Sequence, residues 1–398
     1  MMKNNTFDCI VIGLGAMGSA ALYQLARSGA RVLGIDAYAP PHDRGSTHGG
    51  SRIIRLAYQE GREYIPLLHR AYASWREIEA ASGQSLLQIT GGLMIGSREG
   101  SIVARSQQSA DQESVAYEIL DAAEIMQRFP AFQAGEDQIA LYDPAAGVLH
   151  PEKAVAAQLG LARQQRAQVR LNEKVLRWEA IGEGARVVTA AGEYQAGRLI
   201  LCTGPWAGPL LAQMGMNLAV ERIVQFWMAP KEDFSAFAPD RFPIFIWTAD
   251  PHLEFYGIPG MDGPQGGVKI SYYPKGPHAL RQLCTPDTLD RDGRPADLAQ
   301  MRPYLRALLP GLDGRCIRTA VCMHSNTPDM HPVICTHPSH PQVVLAAGFS
   351  GHGFKFSNVI GEILAELATE GKSRFDLDLF HPQALARILQ QHPSGDSE

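Results

Sequence analysis

At about 150 residues per domain, the 398 residues of this chain allow two or three domains with a large buried core. Apolar residues make up 45% and charged residues 19%, below the roughly 25% usual in soluble chains, which excludes a disordered protein. The charge is 36 basic against 41 acidic residues, net −5, with no long run of one sign, so the basic patch of a dedicated nucleic-acid binder is absent.

Six cysteines are too sparse for a disulfide framework in a chain this long and fit a reducing compartment. Residues 9–23 form an apolar stretch behind Lys3 that resembles a signal peptide. Three glycines at special spacing, and no cleavage site before Gln24 and Arg27, argue against that reading. No apolar run reaches the roughly 18 residues of a membrane span. The final Gly-Asp-Ser-Glu, residues 395–398, reads as a soluble tail and not a peroxisomal address. The expectation is a cytoplasmic, multidomain protein with no membrane or nucleic-acid partner.

In chain order, residues 7–12 are a short apolar run that predicts a buried strand. Gly13-Leu14-Gly15-Ala16-Met17-Gly18 follows, then a helix over 16–28 with Gly29 as its stop, then a second strand over 32–35 closed by Asp36. Leu67, Leu68, Ala71, Trp75 and Ile78 share one face of a helix over 64–81. A helix over 151–165 carries Pro151 in its first turn, where a missing N–H does no harm. Residues 169–204 read as short strands and turns, and 221–273 as an antiparallel sheet rich in aromatic and β-branched residues. A buried strand over 343–346, a glycine-rich loop over 348–353 and a helix over 357–369 complete the pattern. The fold class is α/β in the two-domain α+β sense: a Rossmann-like unit at both ends, interrupted by a unit built on a mostly antiparallel sheet.

Each glycine of Gly-x-Gly-x-x-Gly has a task. Gly13 makes the tight turn, Gly15 lets backbone approach a pyrophosphate, and Gly18 lets the helix pack on the sheet with its N-terminus toward the anion. Asp36 stands at the end of the second strand, where a carboxylate accepts hydrogen bonds from a ribose. An acid there disfavours a 2′-phosphate, so FAD or NAD is expected over NADP.

Arg52 and Arg55, three apart, would share a face in a helix and grip a carboxylate, or they are two solvated surface arginines. On a strand, Lys269 shares a face with Ser271 and Tyr273, which also describes the polar side of a half-exposed strand. Three cysteines and four histidines fall between Cys316 and His340, yet no ligand pair has zinc spacing, His337 and His340 falling just short. No metal is expected. Gly348-Phe349-Ser350-Gly351-His352 is not a nucleophile elbow, and no phosphate loop or H-E-x-x-H is present.

Four segments together resemble the monomeric sarcosine oxidase family of flavin amine oxidases, which includes N-methyltryptophan oxidase and peroxisomal sarcosine/pipecolate oxidase. They are the glycine motif ending at Asp36; Pro40-Pro41-His42 with Gly45 to Arg55; Ala320-Val321-Cys322-Met323; and Ala347 to Phe356, which contains Gly348-Phe349-Ser350-Gly351-His352-Gly353-Phe354-Lys355. The resemblance implies FAD attached by a thioether from Cys322 to the flavin 8α carbon. It implies that Lys269 assists oxygen activation, that Arg55 and Lys355 bind the substrate carboxylate, and that His48 and Arg52 lie beside the flavin ring. Tyr256, before Gly257-Ile258-Pro259, matches an active-site tyrosine. Cofactor contacts extend over Gly13, Gly15, Met17, Gly18, Asp36, Ser46, Gly351, Gly353 and Lys355.

Two positions depart from the sarcosine-specific members: Tyr273 stands where they carry histidine, and His324 where they carry tyrosine. Both belong to the expected substrate cavity. Acidic residues common around Met330-His331-Pro332 are also missing.

The implied division is an FAD-binding unit over 1–88, 150–220 and 327–398, with a substrate unit over 89–149 and 221–326. The implied reaction is oxidation of a secondary amino acid, N-methyl or cyclic, to an imine, with oxygen reduced to hydrogen peroxide by a monomeric enzyme. Competing readings are a flavin-dependent amino-acid dehydrogenase (including the D-amino acid type) passing electrons to a carrier, a pyridine-nucleotide dehydrogenase, and a zinc-dependent binding module over 316–340.

Overall fold

The N-terminal β-α-β unit forms because a buried apolar strand leads into a turn that only glycine can make. Strand Thr6–Ile12 passes into helix Ala16–Arg27 and on to strand Val32–Ile35, and the two strands pair in parallel with Ile12 opposite Ile35. Gly13 has φ +85°, and a Cβ on it would lie 2.3 Å from the carbonyl oxygen of Cys202. A Cβ on Gly18 would lie 1.7 Å from the carbonyl oxygen of Gly13. Any side chain at either position would push the helix off the sheet.

The computed structural model describes residues 5–250, 253–274 and 281–384. Lys3 and the tail over 395–398 lie outside the described residues. The unit belongs to an eight-stranded sheet whose main path runs Val175–Ile181, Gly184–Thr189, Gly192–Leu201, Thr6–Ile12, Val32–Ile35, Gln168–Arg170. Strand His340–Ala347 pairs in parallel with Gly192–Leu201, and Val333–His337 pairs antiparallel to it. Alternation divides the core in two. Val11, Ile200 and Val344 face helices Ala16–Arg27, Ile65–Ser82, Pro151–Gln164 and Ser357–Glu370, whereas Ile10, Ile35, Leu199 and Leu345 pack on Leu211 and Met216.

A second eight-stranded sheet has the order Cys316–Asn326, Ala219–Met228, Val268–Pro274, Leu253–Ile258, Ile244–Asp250, Gly92–Ser97, Gln138–Asp143, Glu118–Asp121. Its pairings are antiparallel except one, where Ile244–Asp250 runs parallel to Gly92–Ser97. Phe132, Phe242, Phe245, Trp247 and Phe255 fill its core, the first two stacked at 4.8 Å, and helix Pro295–Leu308 adds Met301 and Leu305.

Strand Arg52–Ile54 joins Leu87–Ile89 through Gly147–Leu149 in a small third sheet. Arg52 and Arg55 therefore lie in and just after a strand and do not share a helix face, and they make different contacts in one cavity. Three hydrogen-bonded residues are too short to leave a period in the sequence. Among the described residues, no helix is long and apolar enough to cross a membrane.

Helix Ser357–Glu370 crosses helix Ala16–Arg27 at Gly361, where a Cβ would lie 2.5 Å from the Cβ of Ala20. Gly361→Leu should cost about 1–3 kcal/mol by overpacking, read as an earlier midpoint in urea denaturation. An unchanged midpoint would show that the two helices can part freely.

Candidate active site

A cavity of about 890 Å³ is lined by both large sheets. Gly13, Gly15, Met17 and Asp36 line it from the glycine loop, and Ser46, Arg52 and Cys322 from its middle. Arg55, Tyr256, Lys269, Tyr273, His324, Gly351, Gly353 and Lys355 complete the set that the sequence singles out. Gly18 and His48 are not in the wall. Gly18 acts in helix–strand packing, and His48 lies behind Cys322, close enough to act on its thiol.

Asp36 accepts the Leu14 N–H at 2.7 Å on one oxygen and the Tyr38 N–H at 2.8 Å on the other. It locks the glycine loop onto the end of the second strand while keeping an edge on the cavity.

The middle of the cavity is built from two basic side chains, Arg52 part-buried and Lys269 buried, held by backbone carbonyls. Arg52 donates to the carbonyls of Ser51 (2.8 Å), Ser46 (2.9 Å) and His48 (2.6 Å), and reaches the Cys322 sulfur at 3.7 Å. Lys269, 2% exposed, donates to the carbonyls of Gly49 (2.9 Å) and Ser51 (2.8 Å). That burial overturns the half-exposed reading of its strand, since its neighbours in Val268–Pro274 are buried on both faces up to Tyr272. Burial first, then Arg52, hold the Lys269 amine well below the usual lysine range. The Gly49-Gly50 turn that presents one of these carbonyls has φ +101° and +74°, and Glu152 accepts both of its N–H groups.

Cys322 and His324 lie two apart on strand Cys316–Asn326 and so project to one face. Burial raises the Cys322 thiol, but His48, Arg52 and Lys269 together outweigh it and bring the group down to about 7. Elsewhere burial alone acts: Cys202 and Cys335 are pushed up to about 12. The ring of His324 lies 5.7 Å from that of Tyr273, and burial holds the histidine down at about 3 and the tyrosine up at about 12. Both are uncharged. The Tyr273 hydroxyl and His324 Nδ1 have no hydrogen-bond partner among the described residues. Tyr256, opposite Ser271 across neighbouring strands, is raised by burial.

Arg55 and Lys355 both lie over the Tyr58 ring, at 4.6 and 4.9 Å, and both act electrostatically on the Glu60 carboxylate. Arg55, 2% exposed, donates to Glu60 at 3.0 Å and to the Ala57 carbonyl at 2.6 Å. Although burial works to raise it, Glu60 is held down at about 2 by Arg55, His352 and Lys355. Lys355 in turn is lowered to about 7, by burial first, with Glu60 opposing and Arg55 reinforcing. Neither Glu60 nor Glu152 is marked by any local pattern: an irregular turn brings Glu60 back to Arg55, and the partners of Glu152 lie in a distant segment. The flanking backbone is fixed by buried Asp143, which accepts the N–H groups of Leu56 and Ala57.

The cysteines and histidines between 316 and 340 are dispersed. Cys316 bonds the Arg318 carbonyl, Cys335 is in the first-sheet core and His331 pairs with Tyr64. Among the described residues, no three metal-ligating side chains cluster.

The model of the FAD dependent oxidoreductase family matches residues 8–367. The chain is 44% identical over 382 residues to a monomeric sarcosine oxidase of Streptomyces avermitilis, covering 96% of this chain and 98% of the relative. The chain belongs to the FAD dependent oxidoreductases, in their sarcosine oxidase group. It is also 34% identical to N-methyl-L-tryptophan oxidase of Escherichia coli, over 94% of this chain and 98% of that one. Among solved structures, NikD, an amino acid oxidase of nikkomycin biosynthesis, superposes with TM-score 0.78 at 25% identity, covering 95% and 98% of the two chains. L-proline dehydrogenase from P. horikoshii shares the fold, with TM-score 0.81 at 22% identity over 97% and 99%.

The residues present fit the FAD of this family. Gly13 and Gly18 admit no Cβ, the helix N-terminus at Ala16 faces the cavity, and an acid closes the second strand. Farther along, the cavity wall is electropositive around a low-pKa thiol.

In flavin-free protein, Cys322 should be alkylated by iodoacetamide with a rate that rises through about pH 7, while Cys202 and Cys335 stay inert below pH 9. Arg52→Met should move the midpoint upward, because a lost cation destabilises the thiolate. Mass spectrometry of labelled peptides reads this directly, and an Arg52→Met midpoint unchanged from wild type would remove the guanidinium from the account.

Proposed function

We propose that this chain oxidises secondary amino acids, N-methyl or cyclic, converting the C–N bond to an imine and reducing oxygen to hydrogen peroxide. The observation that carries the reading is the convergence of Arg55 and Lys355 over the Tyr58 ring, with Arg55 paired to the Glu60 carboxylate, inside a cavity that fits FAD. A site that holds one carboxylate from its own chain is chemically matched to the carboxylate of an amino acid. The relatives, a sarcosine oxidase and an N-methyl-L-tryptophan oxidase, support the same substrate class.

FAD, when bound, supplies the redox chemistry, taking a hydride equivalent from the carbon beside nitrogen and passing electrons to oxygen. The chain does the rest. Arg55 and Lys355 hold the substrate carboxylate in place of Glu60, converting a bimolecular encounter into a fixed approach. The surrounding cations disfavour an ammonium, so the amine is kept unprotonated. Tyr273 and His324, both neutral, border the amine and its side chain without adding charge, and Tyr256 closes the wall near Arg52. Lys269 is fixed by two carbonyls, which places its amine to stabilise negative charge that arrives beside it, as on oxygen reduction. His48 and Arg52 lower the Cys322 thiol, which supports a thioether from this sulfur to the flavin.

The proposed division runs between an FAD unit (1–88, 150–220, 327–398) and a substrate unit (89–149, 221–326), supported by the separation of the two large sheets along those lines. We take the enzyme as a cytoplasmic monomer.

The test is a panel of N-methyl and cyclic amino acids, each beside its descarboxy amine, scored by peroxide released per oxygen consumed. Arg55→Ala and Lys355→Ala should each lower kcat/KM for the amino acids by about ten- to hundredfold, the worth of a charge-assisted bond. Descarboxy amines should be equally poor on every variant. Equal wild-type activity on an amino acid and its descarboxy amine would overturn the clamp, and oxygen-independent turnover with an artificial carrier but no peroxide would replace the oxidase with a dehydrogenase.

For the cofactor bond, acid precipitation should leave the yellow colour with wild-type protein and release it from Cys322→Ser. Colour that washes out of the wild type would assign Cys322 to noncovalent contact.

A further inference from the structure

Lys355 sits on the turn Phe354–Phe356 with its stem buried. Its ammonium donates to the His352 carbonyl at 2.6 Å and to the Tyr58 hydroxyl at 3.2 Å. The Tyr58 hydroxyl is 2.8 Å from His352 Nδ1, and His352 Nε2 is 2.9 Å from the Met330 carbonyl. A carbonyl only accepts, so Nε2 carries the ring proton. Burial keeps the imidazole neutral, down at about 4, which makes Nδ1 the acceptor and the Tyr58 hydroxyl its donor. The lone pair left on the tyrosine oxygen then takes a Lys355 N–H. The polarity of the chain is thus fixed in one direction from end to end.

The end points are fixed as well. Tyr58 is fully buried, its own carbonyl accepts Ser109 Oγ at 2.7 Å, and its ring lies under both Arg55 (4.6 Å) and Lys355 (4.9 Å). Met330 takes φ +62°, which a non-glycine residue keeps only under constraint. The constraint is visible: Met330 N–H bonds the Thr327 carbonyl at 3.2 Å, and Thr327 Oγ1 bonds the His331 carbonyl at 2.6 Å. His331 Nδ1 is tied to the Tyr64 hydroxyl at 2.8 Å.

An ammonium has three donors on a flexible stem. Two are spent on fixed acceptors here, which leaves one for an anion in the cavity that Lys355 lines. We propose that Tyr58 and His352 are positioning residues for Lys355, forming with the Met330 carbonyl a one-way hydrogen-bond chain that aims its free N–H at the substrate carboxylate. The inference rests on the clamp reading above and goes beyond it by assigning the clamp its supporting groups.

The probe is acetate, titrated into oxidised holoenzyme and followed by the change in flavin absorbance, together with steady-state kinetics on sarcosine. Tyr58→Phe and His352→Phe should each weaken acetate by about tenfold and raise the sarcosine KM by a similar factor, with kcat within about twofold. His352→Asn, whose amide oxygen can accept from Tyr58 where Nδ1 did, should stay within about threefold of wild type in both readouts. A merely structural role would predict no such rescue and would lower kcat with KM. Lys355→Met separates the two readings. If it weakens acetate while both phenylalanine variants bind acetate normally, the chain is overturned and the clamp stands. If Lys355→Met itself binds acetate normally, the clamp falls and the chain with it.

Discussion

Four basic side chains in one cavity, Arg55, Lys269 and Lys355 buried and Arg52 part-buried, set the terms for the rest of the structure. Removing a guanidinium or ammonium from water is costly unless every N–H finds an acceptor. Arg52, Lys269 and Lys355 find theirs mainly on backbone carbonyls, at Ser46, His48, Gly49, Ser51 and His352. Carbonyl dipoles satisfy hydrogen bonds without cancelling charge. The cavity is therefore electropositive, and that one property explains the lowered Cys322 thiol, the lowered lysines and the fit to a carboxylate. Only Arg55 has an acidic partner, and Glu60 sits on a loop rather than within a strand or helix.

Presenting those carbonyls demands unusual backbone. The Gly49-Gly50 turn reaches positive φ twice, and Glu152, in the first turn of a helix packed against the first sheet, caps it from the opposite side. Strand Val268–Pro274 of the second sheet delivers Lys269 to this turn, and strand Cys316–Asn326 delivers Cys322 to Arg52 beside it. The second large sheet thus completes hydrogen bonds that the loop and small sheet around Gly49 to Arg52 leave open. The site is the place where the two halves meet.

This explains what could be read from the residues and what could not. The opening unit was legible because a buried run, three glycines and an acid each obey a local rule, and the helix at 64–81 because five apolar positions keep its period. Arg52 and Arg55 stayed undecided between a shared helix face and solvated surface arginines because a three-residue strand carries no period. Lys269 was undecided because alternation tells which face a residue is on, not whether that face meets water. Tyr58 and Glu152 carried no signal, since each acts on a partner more than a hundred residues away, and Glu60 carried none because an irregular turn brings it back to Arg55. Helix Pro295–Leu308, with Pro303 inside it, and the strands between 92 and 143 also escaped, having neither a clean period nor distinctive punctuation.

The first sheet joins the two ends of the chain. Strand Thr6–Ile12 lies beside Gly192–Leu201, whose other parallel neighbour, His340–Ala347, is made last. During synthesis, the stretch Leu199-Ile200-Leu201 must wait for more than a hundred further residues before that edge is covered, while the hairpin of Ile244–Asp250 and Leu253–Ile258 forms from near neighbours. An open apolar edge is a template for wrong pairing. The aromatic half can therefore condense on the ribosome early, whereas the nucleotide cradle closes only once nearly the whole chain has emerged, and a truncated product would expose a sticky sheet margin rather than fold into a smaller enzyme.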